Sequence, residues 1–540
     1  MNTHEVTNQS IPLTGYDASE DPALLEALDR EGAGWASGKV REVGRLAGSE
    51  EHQENGRLAN ENPPRLHTHD RFGHRVDEIE FHPAYHDLMA AAVGHGLHAA
   101  AWADPREGAH VARAAAFCAW SQSEAGHCCP VSMTYSIVPA LRQSPDLARQ
   151  YEPVLTTTAY DRSSRPPLDK RGLTAGMSMT EKQGGSDVRA NTTAARRQDD
   201  GSYRLVGHKW FTSAPQGDLF LVLAQAEKGL SCFLLPRVLP DGTRNPMRVM
   251  RLKDKLGNRS NASSEVEYEN ATAWLVGEEG RGVRTIIEMV NSTRLDCVIA
   301  ASAMMRQGVI HAAHHASHRQ AFGKTLIDQP LMAGVLADLA IESEAATTVM
   351  MRLAGATDRA LHGDEKEAAF RRLALAAVKY HVTKQVPAHA AEALECFGGN
   401  GYAEESQMPR LYREAPLQSI WEGSGNVAAL DTLRALARTP ESAEVFFEEL
   451  EASSGVDHRL DDAIARLKKD VANAEEASAR RLAESMAVTL QGALLVRYGH
   501  PAVADAFAAT RLAGDRGRAY GTIPASAGTG SILPRAIPSL

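Results

Sequence analysis

Tyr203-Arg204-Leu205-Val206-Gly207-His208-Lys209-Trp210 is the first of five short runs rich in aromatic and apolar residues. Asp218 to Gln225, Ser231 to Pro236, Met247 to Leu252 and Ser264 to Tyr268 follow it. Turn-forming Asp199-Asp200-Gly201 and Asp241-Gly242 separate runs of this kind, as between strands. A small β-barrel or sandwich is therefore expected over residues 176–285.

The flanks are helical in pattern. Residues 1–175 read as an N-terminal helical domain with polar, Pro-bearing interruptions, of which Asn60 to Arg75 is expected to be a loop. Phe81-His82-Pro83 opens a helix, and Ala92 to Ala103 and Ala109 to Ser123 continue the pattern. Beyond the β region, Val309, Ala312 and Ala316, then Leu331, Val335, Leu339 and Ile341, recur near the helical period. Long helices with short connections over 286–440 predict an antiparallel bundle. Residues 441–540 form a further helical extension, with Leu482, Met486, Leu490 and Leu494 as a packing stripe. Gly514 to Leu540, rich in Gly, Pro, Ser and Arg, is expected to be an irregular or mobile tail.

A chain of 540 residues is too long for one core, and 43% hydrophobic with 23% charged residues is the composition of a soluble globular protein. A net charge of −10 argues against nucleic-acid binding by the whole molecule and leaves only a local basic face. The six cysteines lack ligand-like spacing and are expected to be reduced thiols. Met1 to Leu13 shows no signal-peptide pattern, and no apolar stretch reaches the ~20 residues of a bilayer span, so a cytoplasmic protein without a membrane partner is expected.

Four constellations carry chemistry. Met177-Ser178-Met179-Thr180-Glu181-Lys182-Gln183-Gly184-Gly185-Ser186-Asp187 offers hydroxyls and a Gly pair whose backbone N–H groups can approach an anion. Lys209-Trp210-Phe211-Thr212-Ser213 ends a strand where an aromatic can back a flat ring. Arg319-Gln320-Ala321-Phe322-Gly323-Lys324, with Gln329, supplies an Arg for a diphosphate and a Phe for a base. Gln418-Ser419-Ile420-Trp421-Glu422-Gly423-Ser424-Gly425-Asn426 sets an uncrowded carboxylate before a helix start, where a base could face a cofactor. Each alone also reads as a turn, a core Trp, a basic cap or a dipole-complementing Glu.

Together, in this order, and with Cys396-Phe397-Gly398-Gly399-Asn400-Gly401-Tyr402, these motifs resemble the acyl-CoA dehydrogenase flavoprotein family over roughly residues 80–440. Glu31-Gly32-Ala33-Gly34-Trp35, Leu58-Ala59-Asn60-Glu61-Asn62-Pro63-Pro64 and Lys255-Leu256-Gly257-Asn258-Arg259-Ser260-Asn261-Ala262-Ser263 resemble its AidB-like branch. The resemblance implies an α+β fold: an N-terminal helical domain, a central β-barrel, a C-terminal four-helix bundle and a helical extension. It also implies FAD, a homotetramer and a link to the DNA alkylation response.

By position in the motifs, Glu422 is similar to the family's catalytic base. Met177, Met179, Thr180, Gly185 and Ser186 fall where the family holds the flavin ring and phosphates, and Phe211, Thr212 and Ser213 on the strand flanking the ring. Arg319, Phe322 and Gln329 fall where the adenine half of an FAD lies, the chain's own or a neighbouring subunit's. Gly398 and Gly399 fall near the diphosphate, and Ser424 and Asn426 follow the base. Glu395 departs from the family's frequent neutral Gln and would repel a diphosphate. Arg294 resembles an Arg near the family's active site, or serves as an ordinary ion-pair partner.

His311, His314, His315 and His318 share one helix face, yet imidazoles along one helix cannot close a tetrahedral metal site unaided; no metal is expected. Beyond residue 479, seven Arg face three acidic residues. With Arg434, the C-terminal Arg516 and Arg518 make a candidate double-stranded DNA contact. Two functions follow: an alkylation-response protein with an acyl-CoA dehydrogenase-type site, or a working acyl-CoA dehydrogenase without a DNA role.

Overall fold

The computed structural model describes residues 3–538, which divide into two compact units. Residues 51–106 and 124–294 form one unit. At its centre is a seven-stranded sheet closed into a barrel. Ala175–Ser178, Leu219–Ala226, Ala194–Arg197, Tyr203–Ser213, Ser263–Val276 and Gly229–Pro236 follow in that order, and the last pairs back onto Leu219–Ala226. Met247–Leu252 joins the side of Ser263–Val276. Closure leaves Leu205, Phe220, Val222, Phe233, Val266 and Tyr268 packed together inside, the burial that favours the barrel over separate hairpins. Gly207 marks an irregularity in Tyr203–Ser213: at φ +150, a Cβ there would lie 2.6 Å from Thr193 Cα.

The expected strands are present, and two further ones, Ala175–Ser178 and Ala194–Arg197, complete the barrel. Asn60 to Arg75 is not simply a loop. Arg65–His69 pairs antiparallel with Arg75–Glu80, a hairpin whose first strand alternates between exposed and half-buried and whose second buries only Asp77. Helices Pro83–Gly94, Cys128–Leu141 and Pro145–Leu155 belong to the same unit.

Residues up to 50, 107–123 and from 295 onward form the second unit. Its axis is the helix Pro330–Leu361, in which every residue from Leu336 to Asp358 is buried. It packs on Glu365–Glu395, Ala109–Trp120 and Ala479–Tyr498. A helix buried all round must pair its own charges. Asp358 accepts the Gly108 and His110 backbone N–H groups at 2.8 and 2.9 Å. Arg352 pairs with Glu367 and Glu449, both at 2.8 Å. Arg511 reaches Asp338 at 2.6 Å and Glu342 at 3.1 Å. Arg535 reaches Glu344 at 2.9 Å.

The last pair narrows the expectation of an irregular or mobile tail: residues 514–528 hold only turns and bends, but the segment is tied down and closes in a helix. Gly521 N–H donates to Asp338 Oδ2 at 2.9 Å, and Thr529–Ala536 is a helix laid on Pro330–Leu361. The carboxylates of the buried helix need cations: Arg535 of the tail answers Glu344, and Arg511, just before the tail, answers Asp338 and Glu342. Among the described residues, no helix is long and apolar enough to cross a membrane.

Burial pushes the Glu344 carboxyl up and Arg535 draws it back. Arg535→Ala should cost about 3 kcal/mol or more of unfolding free energy, because it strands a buried carboxylate. Denaturant titration checks this, and adding Glu344→Gln should recover most of the loss. A single-variant loss within ~0.5 kcal/mol, the range of ordinary surface substitutions, would show the pair to be ornamental.

Candidate active site

In the barrel unit, a buried ion pair shapes the loop after Ala175–Ser178. Alternation along Tyr203–Ser213 turns Lys209 to the same side as Tyr203 and Leu205. Its ammonium is fully buried and donates to Glu181 Oε1 at 2.9 Å, Leu223 O at 2.8 Å and Met179 O at 3.3 Å. Three acceptors satisfy its three protons. Burial still pulls Lys209 down to about 8, against the raising effect of Glu181. Burial alone would raise Glu181, but hydrogen bonds from Thr192, Thr193 and Lys209 prevail and hold it well below the usual carboxylate range. Trp210 N–H donates to Thr180 O at 2.8 Å, so loop and strand end move as one piece.

That piece carries one group of expected site residues. Met177 is buried, Met179 and Thr180 are half-buried, and Gly185 and Ser186 are exposed on the loop. A Cβ at Gly185 would lie 2.4 Å from Thr180 Oγ1, so only Gly leaves that hydroxyl in place. The register shifts between Lys209 and Thr212. Phe211 is left 49% exposed, while Thr212 is buried and its hydroxyl is hydrogen-bonded to Ser178. Ser213 is half-buried. Lys253 Nζ sits 3.3 Å from the centre of the Trp210 ring and is paired with Glu265 at 2.7 Å. Hydroxyls, an exposed ring and cations suit a flavin and its phosphates. Arg294 is buried.

The second unit holds the other groups. Arg319 is half-buried, while Phe322 is fully exposed, with φ +53. Gln329 Nε2 donates to Ala321 O at 3.0 Å and closes that turn. Gly398 and Gly399 are exposed, with nothing within 4 Å of a Cβ built on either. An unstacked ring and open glycine backbone fit an adenine nucleotide. Glu395 is exposed nearby in sequence, so its repulsion is softened by water.

Glu422 stands apart from these. It is half-buried and left-handed, with φ +55, and Gly423 follows at φ +102. A left-handed Glu costs roughly 1–2 kcal/mol, so something must impose it. Lys379, 1% exposed within Glu365–Glu395, donates to Trp421 O at 3.0 Å and also to Gly423 O. The two carbonyls on either side of Glu422 are thus gripped by one ammonium. Trp421 Nε1 donates to the buried Gln418 at 3.1 Å. Ser424 precedes the helix Gly425–Arg438, and Ser424 and Asn426 are both exposed at its start.

Sequence reading missed Lys379, and took Glu181 and Lys209 only as parts of motifs. For Lys209 the signal was present: an odd-numbered position in line with Tyr203 and Leu205. Lys379 offered none, since a lysine in a helix usually reads as solvated.

The comparisons agree with this architecture. The N-terminal domain of the adaptive response protein AidB matches residues 8–162. The middle and C-terminal domains of acyl-CoA dehydrogenases match 176–271 and 280–437. The chain is 48% identical over 508 residues to the putative acyl-CoA dehydrogenase AidB of Escherichia coli, covering 94% of each. It is 32% identical to acyl-CoA dehydrogenase family member 11 of Caenorhabditis elegans, over 81% of this chain and 73% of that one. The crystal structure of C. elegans ACDH-11 in complex with C11-CoA superposes with a TM-score of 0.85 at 28% identity, covering 95% of this chain and 94% of that one. Family profiles along the chain and near-half identity to AidB over nearly its full length leave one conclusion: the chain belongs to the acyl-CoA dehydrogenase family, in its AidB-like branch.

Proposed function

We propose that this chain is an FAD-containing protein that keeps an acyl-CoA dehydrogenase-type active site, with Glu422 as the base for the α-proton of an acyl thioester. One observation carries it: Glu422 is held in a costly left-handed backbone by a buried lysine on both neighbouring carbonyls. Strain maintained by that much surrounding structure points to use. When bound, FAD supplies the hydride acceptor for the β-hydrogen. Met177, Met179, Thr180, Gly185, Ser186, Phe211, Thr212 and Ser213 would serve the flavin. Arg319, Phe322, Gln329, Gly398 and Gly399 would serve an adenine nucleotide, and Ser424 and Asn426 would follow the base.

An α-C–H is too weak an acid for a carboxylate unless the thioester oxygen is polarised by hydrogen bonds. A backbone N–H of the turn beside Glu422 is the donor we assign. The C11-CoA held by the C. elegans structure suggests a medium-chain acyl-CoA. A homotetramer in the cytoplasm completes the proposal, on the strength of the resemblance.

A second role, association with double-stranded DNA in the alkylation response, has narrower support. Of the seven arginines beyond residue 479, Arg497, Arg511 and Arg535 are paired to carboxylates within the fold. Arg434, Arg438, Arg480, Arg481 and Arg518 remain exposed, and Gly425–Arg438 packs on Ala479–Tyr498. Half-buried Arg516 adjoins them in sequence. Duplex affinity should fall steeply with salt, and Arg434→Ala with Arg518→Ala should flatten that slope by about two. An unchanged slope would remove these residues from the interface.

Mixing flavin-loaded protein anaerobically with acyl-CoAs should bleach the flavin absorbance. Glu422→Gln should slow bleaching at least ~100-fold while thioester still perturbs the flavin spectrum. Bleaching by no thioester would refute the dehydrogenase half-reaction. Lys379→Met should cost roughly 100-fold in the bleaching rate at saturating thioester, with flavin content unchanged, because it lets the base drift.

A further inference from the structure

The histidine row and the N-terminal segment, neither used above, meet at one place. Asn8 adopts the left-handed backbone at φ +57. Its side-chain amide pairs with the backbone of Gln320 in both directions: Nδ2 donates to Gln320 O at 2.9 Å, and Gln320 N–H donates to Oδ1 at 2.8 Å. Arg319 Nη1 donates to Asn8 O. Asn400 Nδ2 donates to Gln9 Oε1 at 3.3 Å. Ser10 Oγ lies 2.7 Å from His315 Nδ1, and His314 Nε2 donates to Ile11 O at 2.9 Å. His315 stacks on Phe397, with ring centres 4.3 Å apart and planes at 22°.

Of these four consecutive residues, Asn8 and Gln9 each touch one of two loops, and Ser10 and Ile11 touch histidines of the helix Gly282–His318. One loop carries Arg319 and Phe322; the other runs Phe397-Gly398-Gly399-Asn400. Both belong to the same compact unit, and both are the loops assigned above to an adenine nucleotide. Three of the four histidines of the row are accounted for at the same time, while His311 packs edge-on against Tyr16. His314 and His315 are docking points for the segment, and His318 Nδ1 donates back to His314 O at 2.8 Å.

We infer that residues Asn8–Ile11 act as a positioning strap for the adenine-nucleotide end of the cofactor site, with Asn8 setting the Arg319 loop. This rests on the FAD reading of the previous subsection. Asn8 touches no cofactor; it acts through Gln320 and Arg319. Without its amide, Gln320 loses both hydrogen bonds to the Asn8 side chain and the loop must be ordered when the nucleotide binds, which weakens binding.

The test uses Asn8→Gly, which keeps the left-handed backbone available and removes only the amide. Equilibrium binding of FAD and of FMN to the apoprotein is followed by flavin fluorescence, with the unfolding midpoint of each apoprotein as a control. FMN lacks the adenine nucleotide, so it reports on the flavin end alone. Asn8→Gly should weaken FAD about tenfold, the effect of losing a hydrogen-bonded pair, and leave FMN unchanged. Ser10→Ala should act in the same direction, more weakly. Equal loss for FAD and FMN would mean a general structural role and overturn the strap, as would no change for FAD. If the unaltered protein binds no FAD, the cofactor reading itself fails, and the strap with it.

Discussion

An ammonium group withdrawn from water must find acceptors for its protons, and this requirement organises both loops on which the proposed chemistry depends. Lys209 meets it with a carboxylate and two carbonyls inside the barrel. Lys379 meets it with the carbonyls on either side of Glu422. Removing such a cation from water costs several kcal/mol unless its hydrogen bonds are made. The acceptors are therefore as constrained as the lysines. In the first case they fix the shape of the Met179–Gly185 loop; in the second they hold a glutamate in a conformation it would not choose.

The same logic extends to the centre of the second unit. Pro330–Leu361 is buried on all sides yet carries Asp338, Glu342, Glu344, Arg352 and Asp358. Each is answered from elsewhere in the chain, by Arg511, Arg535, Glu367 and Glu449, or the Gly108 and His110 amides. The C-terminal arginines are thus partly structural. This narrows the basic surface left for a polyanion to Arg434, Arg438, Arg480, Arg481 and Arg518, with Arg516 beside them.

Most of the architecture was legible in the residues. Five of the seven barrel strands announced themselves through apolar runs, some cut by Asp-Gly turns, and the bundle through its period. The motifs proposed to form the site were visible as well, because Gly-Gly-Ser, Trp-Phe-Thr-Ser and Trp-Glu-Gly-Ser-Gly are short, local patterns. Features made by distant partners were not. Arg65–His69 and Arg75–Glu80 lack apolar alternation, so nothing local distinguishes their hairpin from a loop. The tail looked irregular because Gly, Pro and Ser dominate its composition, while its order comes from carboxylates nearly two hundred residues away. Nothing local marks Lys379 as buried, because helix sequence alone does not reveal which face is covered.

Base catalysis by Glu422 is the central claim, and α-proton exchange tests it without relying on an electron acceptor. In deuterated buffer, the flavin-loaded protein should exchange the α-hydrogens of a bound acyl-CoA, or of a thioester that cannot lose a β-hydrogen, as followed by NMR. Glu422→Gln should reduce that exchange to the uncatalysed rate while the thioester still binds. Exchange that persists in Glu422→Gln would contradict the assignment and place the base elsewhere.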